Sequence, residues 1–193
     1  RLVDADRAEQ PFIIHIVDGE GGESRLQARA VIDASGTWHR PNPAGADGLP
    51  ALGERDAAGL IAYQVPSRAE PERYAGKHTV VVGAGDSAFN AIHELVQVAA
   101  DHPGTRITWA IRRAVSEDTF GGAAADQLPE RGALGQRAKN AVESGAVELV
   151  TGLRTAEIRR DGDRAVLVGE DGHELPVADT VVVLTGFRPD LNF

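Results

Sequence analysis

Residues 77–90 read KHTVVVGAGDSAFN, and this stretch decides the fold. The β-branched run at 79–82 is typical of a buried parallel strand, and it leads directly into a glycine turn. A long helical pattern over residues 86–100 begins immediately after the turn. The stretch therefore predicts a strand, a tight glycine turn and the start of a helix.

This glycine turn suits a ligand that carries phosphate. Gly83 would permit the bend, and Gly85, which lacks a β-carbon, would let the backbone approach a pyrophosphate. The free N–H groups and the positive dipole end of the helix would face the anion. A similar turn also joins strands to helices where no ligand binds. We predict that the cofactor-binding residues here are Gly83, Ala84, Gly85, Asp86, Ser87 and Ala88.

A second apolar strand, RITWAI at 106–111, ends in Arg112 and Arg113. A dinucleotide fold that prefers NAD places an acidic residue here for the ribose 2′-hydroxyl, whereas arginine suits a 2′-phosphate. The alternative is that both arginines are a solvated strand end. Their position after the second strand favours the first interpretation, so we predict NADP(H) as the cofactor.

Composition limits the remaining classes. The chain has 193 residues, of which 42% are hydrophobic and 25% charged, as expected of an ordinary globular protein. Its net charge of −9 argues against nucleic acid or an anionic membrane as the main partner. No apolar run approaches the roughly 18 residues of a membrane span. We expect a small-molecule ligand and, from the cofactor, a cytoplasmic location.

Two residue types are missing. The sequence has no cysteine, which excludes disulfides, thiolate metal sites and a dithiol redox centre within it, and we predict no metal site. It also has no methionine, so we expect it to be a processed or excised piece of a longer protein. No acid–base catalytic residue can be named from the pattern.

The rest of the chain predicts strands around the glycine turn and a helix after it. Before the turn, strands at 12–17 and 26–34 form a hairpin or meander, and 44–75 form a connecting segment with one short strand at 60–65. After it come a small-residue loop, a helix, a strand, three strands joined by Asp-Gly turns, and a last buried strand, at 116–128, 129–144, 147–150, 154–159, 165–168, 174–177 and 179–184. The predicted fold class is α/β: a Rossmann-like parallel sheet with helices, plus a three-stranded antiparallel meander.

Ligands of open α/β sheets collect outside the carboxyl ends of the strands. Gly83, Arg112 and Gly186 each follow a predicted parallel strand. We therefore expect these three residues to share one rim of the sheet.

Several motifs together resemble a known family: SGT at 35–37, GKHTVVVGAGDSA at 76–88, the strand that ends in RR, and DTVVVLTGFRPD at 179–190. In this order they resemble the NADPH domain of two-dinucleotide-binding flavoproteins. That group holds thioredoxin reductases and flavin-containing monooxygenases within the pyridine nucleotide-disulfide oxidoreductase superfamily. The likeness spans residues 33–190.

The resemblance implies an NADPH domain inserted into an FAD domain. Residues 1–37 would be the last strands of the first FAD-domain half, 38–75 a connecting segment, 76–180 the NADP-binding domain, and 181–193 the return to the second half. It implies that Ser35, Gly36 and Thr37 lie near the flavin nucleotide and that Gly186 to Asp190, also cofactor-binding, return to the second half, with the missing FAD-domain segments as the main partner. A homodimer is left open.

The implied activity is hydride transfer from NADPH to FAD, followed by transfer to oxygen or another acceptor, most like a monooxygenase. Gly59 and the pair Gly76–Lys77 match the monooxygenase fingerprint, but Tyr63 and Gln64 stand where His-Ser is expected. Two alternatives stay open, a non-catalytic NADP-binding sensor and a thioredoxin reductase-like protein without its cysteine pair. A short-chain dehydrogenase is disfavoured because both tyrosines precede the glycine turn.

Overall fold

The computed structural model describes residues 8–34, 36–37, 39–121 and 129–189. The chain divides into two compact units, Arg1–Gly36 and Thr37–Phe193, and each is described by itself. None of the helices in these described ranges is long and apolar enough to cross a membrane.

The first unit contains an antiparallel hairpin of β1 (Phe12–Val17) and β2 (Glu23–Ala28). Asp18 closes its turn, since Oδ1 accepts the N–H groups of Glu20 at 2.9 Å and Gly22 at 2.7 Å. The prediction that the second strand covers 26–34 is wrong, because pairing ends where Ala28 meets Phe12. The residue before Phe12 is Pro11, which has no N–H with which to extend the ladder.

The second unit is built on a parallel sheet of five strands in the order β3–β9–β4–β5–β6. Its centre is the predicted strand before the glycine turn, whose five residues are all buried. The β-branched run forms this strand because both faces are covered. The strands are β3 (Ile61–Ala62), β4 (His78–Val82), β5 (Arg106–Ile111), β6 (Glu148–Thr151) and β9 (Thr180–Val183).

Two layers cover the two faces of this sheet. Helices α1 (Asp86–Asp101) and α2 (Pro129–Glu143) pack on one face, where Val81 joins a core with Trp109 and Leu95. The hairpin of β7 (Thr155–Asp161) and β8 (Arg164–Gly169) packs on the other, against Val80 and Val82. Successive residues of β4 therefore supply opposite cores, as the period of two requires. The predicted α/β class is confirmed.

The predicted three-stranded meander has two regular strands. The predicted third strand, residues 174–177, is not a regular strand. Only two isolated bridges connect this region to β8, Val168 with Glu174 and Ala165 with Ala178. Pro176 lies between these bridges and has no N–H to donate, which interrupts the ladder.

The segment 44–75 does more than connect. Its short strand covers only Ile61–Ala62, flanked by the 3₁₀ helices Ala58–Leu60 and Pro71–Arg73. Ala44, Ala51 and Ala57 are buried in the core beside β7 and β8. Within the predicted small-residue loop, Glu117–Phe120 is a 3₁₀ helix, and residues 122–128 lie outside the described ranges.

Candidate functional site

A cleft of about 780 Å³ lies at the carboxyl ends of β4, β5 and β9, and we call it the rim cleft. Gly83, Arg112 and Gly186 all line it, as the strand-end argument predicts. Five further predicted cofactor-binding residues line it too, namely Ala84, Gly85, Asp86, Ser87 and Arg113. The structure thus brings eight predicted site residues together, and their role in binding stays a prediction.

The two glycines of the turn do different things. Gly83 has φ of 137°, and a Cβ there would lie 2.3 Å from the carbonyl oxygen of Leu184. The turn therefore needs glycine at 83 to pack against the end of β9. Gly85 has an ordinary extended backbone with φ of −102°, and a Cβ there would meet no atom within 4 Å. At 85 the missing side chain leaves space over the backbone.

Helix α1 begins at this open space. Gly85 is its N-cap, and its carbonyl accepts the N–H groups of Ala88 at 2.8 Å and Phe89 at 3.2 Å. Within the described residues, the N–H groups of Gly85, Asp86 and Ser87 have no intramolecular hydrogen-bond partner. Such donors at the positive end of a helix attract anions. Ala88 itself is fully buried and lets the helix pack on the sheet.

A side chain of the neighbouring strand β5 holds the glycine turn in place. The indole Nε1 of Trp109 donates a 2.6 Å hydrogen bond to the carbonyl oxygen of Gly83. Trp109 is fully buried, and Phe89 and Phe120 meet its ring edge-on at centroid distances of 5.8 Å and 5.9 Å. Packed aromatic contacts of this kind restrict the indole to one orientation.

The predicted arginine pair lies at the end of β5, and both side chains are exposed. Arg112 Nη1 donates to the carbonyl oxygen of Ala46 at 3.0 Å. No side-chain hydrogen bond of Arg113 occurs among the described residues, and Arg113 is one of the residues that line the rim cleft. Each guanidinium has five N–H donors, so Arg112 retains donors beyond the one that Ala46 receives.

Residues 42–48 form a further wall of the rim cleft that sequence reasoning missed. The N–H of Asn42 donates to the carbonyl oxygen of Gly186 at 2.9 Å. Arg188 Nε donates to Asn42 Oδ1 at 2.7 Å, and Arg188 Nη2 donates to the carbonyl oxygen of Gly48. The segment after β9 is therefore bonded along its length to the 42–48 wall.

Behind this wall lies Glu54, which is only 3% exposed. Its carboxylate accepts the N–H of Ala44 at 3.0 Å and 3.1 Å, the N–H of Ala51 at 2.7 Å and the hydroxyl of Tyr63 at 2.6 Å. Burial and the Glu54 carboxylate raise the pKa of Tyr63 above its usual value. The phenol therefore stays a proton donor to Glu54.

The charge of the rim cleft is opposite to that of the chain. Its charged lining residues are three arginines, Arg112, Arg113 and Arg188, and one carboxylate, Asp86. The chain as a whole carries −9. A basic patch in a cleft of an acidic protein concentrates anionic ligands there. In the described ranges, no cluster of three or more potential metal-binding side chains occurs.

Five predicted site residues are not placed at the rim cleft, and one of them is the buried Ala88. Ser35 and Asp190 lie outside the described residues. Gly36 belongs to the first unit, with φ of 78°. Thr37, in the second unit, is absent from the lining, and its carbonyl accepts the N–H of Arg40 at 3.1 Å.

The sequence analysis does not predict four residues that shape the site, namely Asn42, Glu54, Trp109 and Arg188. For Trp109 the signal was present, because an indole in an alternating buried strand needs a partner for its N–H. Arg188 also follows a predicted strand end, as Arg112 does. Asn42 and Glu54 lie in a segment without periodicity, so no pattern marked them.

Comparison with known proteins agrees with this architecture. Residues 9–193 match the family described as pyridine nucleotide-disulphide oxidoreductase. A ferredoxin–NADP reductase of a Nocardioides species is 31% identical over 195 residues, covering 99% of this chain and 49% of the relative. The chain thus spans about half the length of this relative.

Solved structures share the fold at low sequence identity. A bacillithiol disulfide reductase of Bacillus cereus has a TM-score of 0.65 at 19% identity, with 94% of this chain and 48% of that one covered. A cadaverine monooxygenase of desferrioxamine biosynthesis from Erwinia amylovora, solved bound to FAD, has a TM-score of 0.58 at 14% identity, with coverage of 96% and 51%. The resemblance inferred from the motifs is confirmed: the chain belongs to the pyridine nucleotide-disulphide oxidoreductase family.

Proposed function

We propose that this chain is the NADPH-binding portion of an FAD-dependent oxidoreductase. The observation that carries the proposal is the meeting of the glycine turn and the two strand-end arginines in one rim cleft. The ferredoxin–NADP reductase relative supports the choice of NADP. When bound, NADPH supplies a hydride and FAD accepts it. The task of this chain is to bind and orient the nucleotide.

The residues present fit a dinucleotide. The open space at Gly85 would admit a pyrophosphate, and the N–H groups of Gly85, Asp86 and Ser87 are free to donate to it. The helix dipole contributes about 0.3–2 kcal/mol to binding an anion at this point. Asp86 adds a negative charge, and the three arginines of the cleft outnumber it.

Arg112 and Arg113 would bind the 2′-phosphate. A hydrogen bond to a charged group contributes about 1.5–3 kcal/mol, which is roughly ten- to a hundredfold in affinity per contact. NADH lacks this phosphate and would gain nothing from either side chain. The arginine pair therefore accounts for a preference for NADPH.

FAD binding would depend on segments beyond this sequence. The only GxGxxA pattern of the chain is the one at 83–88, and we assign it to NADPH. The SGT motif, Ser35 to Thr37, would lie near the flavin nucleotide. Since the chain spans about half of its relative, we propose the missing FAD-domain segments as its partner.

The electron acceptor has two candidates. The partial match to the monooxygenase fingerprint favours oxygen with a small-molecule substrate. The relative named ferredoxin–NADP reductase favours a one-electron carrier protein. Both candidates use the same NADPH site, and both are compatible with the proposed cytoplasmic location and with a homodimer.

The arginine proposal is tested by calorimetric titration of the chain with NADPH and NADH. We expect wild type to bind NADPH at least tenfold more tightly. The double variant Arg112→Ala/Arg113→Ala should lose that preference and keep its NADH affinity. The matched control is Arg137→Ala/Arg164→Ala, which removes the same charge from residues outside the rim cleft and should retain the preference. Equal affinities of the wild type for both nucleotides would contradict the proposal.

A further inference from the structure

Glu54 is a buried carboxylate that serves backbone groups. Its Oε1 accepts from Ala44 N at 3.0 Å and from Tyr63 Oη at 2.6 Å, and its Oε2 accepts from Ala44 N at 3.1 Å and Ala51 N at 2.7 Å. No lysine or arginine of the described residues forms a salt bridge with it. Hydrogen bonds alone therefore stabilise this charge.

Such a carboxylate is costly to bury, so its donors indicate what it stabilises. Two of them, Ala44 and Ala51, are backbone groups of the two ends of the segment 44–51. Both alanines are buried and have no polar side chain of their own. Glu54 thus fastens both ends of this segment to one point.

The segment held in this way reaches Arg112 between its two ends. The carbonyl oxygen of Ala46 accepts Arg112 Nη1 at 3.0 Å, and the N–H of Ala46 donates to the carbonyl oxygen of Thr155 at 2.9 Å. A continuous path of hydrogen bonds and short backbone runs therefore leads from Glu54 to the guanidinium of Arg112, a residue that lines the rim cleft. A side chain as flexible as arginine loses less entropy on binding when it is already held.

We propose that Glu54 is a positioning residue for Arg112. By fixing residues 44–51 it places the Ala46 carbonyl, and that carbonyl holds Arg112 where a nucleotide 2′-phosphate would lie. Glu54 thereby sets the discrimination between NADPH and NADH without touching either. This inference rests on the proposed function.

The test is the ratio of NADH to NADPH dissociation constants, measured by calorimetry on the 193-residue chain. Glu54→Gln keeps the size of the side chain but points an amide N–H₂ at one group that must donate. We expect NADPH affinity to fall about three- to tenfold, a part of what a full charged contact contributes, and NADH affinity to change less than twofold. Tyr63→Phe is the matched control, because it removes one donor to Glu54 and leaves both backbone bonds, so the ratio should stay at the wild-type value.

A second variant keeps the test valid if Glu54→Gln does not fold. A Cβ at Gly45 would lie 2.1 Å from the carbonyl oxygen of Leu49, so Gly45→Ala must shift the same segment with Glu54 intact. It should lower the ratio as Glu54→Gln does.

The outcomes separate the two proposals. A wild-type chain that binds NADPH and NADH equally overturns the proposed function and this inference together. A wild-type preference for NADPH that survives in Glu54→Gln and Gly45→Ala overturns this inference alone. Equal losses for both nucleotides also overturn it, because they indicate general damage to the cleft.

Discussion

The indole of Trp109 and the carbonyl oxygen of Gly83 are joined by a 2.6 Å hydrogen bond, so strand β5 holds the turn that follows β4. The carbonyl needs this partner because the turn lies between a buried strand and a helix. Trp109 does not line the rim cleft itself, and its hydrogen bond holds the turn whose residues do.

We predict that Trp109→Phe lowers the free energy of unfolding by about 2–4 kcal/mol, since it leaves a part-buried carbonyl unpaired and a cavity beside it. Urea denaturation measures this loss. Nucleotide affinity should fall as well, because Gly83 loses its support. The control Ile111→Val makes a small cavity in the same strand, should cost about 0.5–1.5 kcal/mol, and should leave nucleotide affinity unchanged. Full stability in Trp109→Phe would show that the bond contributes nothing.

The two glycines of the turn should separate folding from binding. Gly83→Ala places a Cβ 2.3 Å from the Leu184 carbonyl oxygen at a positive φ. We therefore expect the free energy of unfolding to fall by at least about 1–3 kcal/mol. Gly85→Ala meets no atom within 4 Å, so its stability should stay within about 1 kcal/mol of wild type.

Gly85→Ala, which should hardly change stability, should strongly reduce nucleotide affinity. Its methyl group would occupy the space over the backbone where a pyrophosphate approaches, so affinity for NADPH and NADH should fall together, by about tenfold or more. Thermal denaturation and calorimetric titration of both variants give the two quantities. If Gly85→Ala bound both nucleotides as tightly as wild type, the pyrophosphate would not bind at this turn.

Stability should depend on Tyr63 at high pH. Burial and Glu54 raise the folded-state pKa of Tyr63, so above roughly pH 10 the unfolded phenol releases its proton while the folded one retains it. Unfolding free energy must therefore decline as the pH rises past that point. Denaturation curves taken across this range should fall more steeply for wild type than for Tyr63→Phe. Parallel curves would mean that the phenol is not held by Glu54.

The sequence predicted the half of the site that lies at strand ends. Gly83, Arg112 and Gly186 could be placed together because carboxyl ends of parallel strands share one edge. The opposite wall could not be predicted. Asn42 and Glu54 act through backbone groups of a segment rich in glycine, proline and alanine, and such contacts leave no periodic pattern in the sequence.

The errors in strand prediction have a common cause. Residues 29–34 and 174–177 have suitable side chains for strands, but Pro11 and Pro176 remove N–H donors from the ladders that would pair them. Side-chain pattern alone does not reveal which partner strand can donate. In the first case the proline precedes the neighbouring strand β1.

A crystal structure of the chain with NADP⁺ tests the central claim most directly. We predict that the pyrophosphate lies within hydrogen-bond distance of the N–H groups of Gly85, Asp86 and Ser87, with the 2′-phosphate between Arg112 and Arg113. A nucleotide bound away from the rim cleft, or one whose 2′-phosphate contacts neither arginine, would contradict the account.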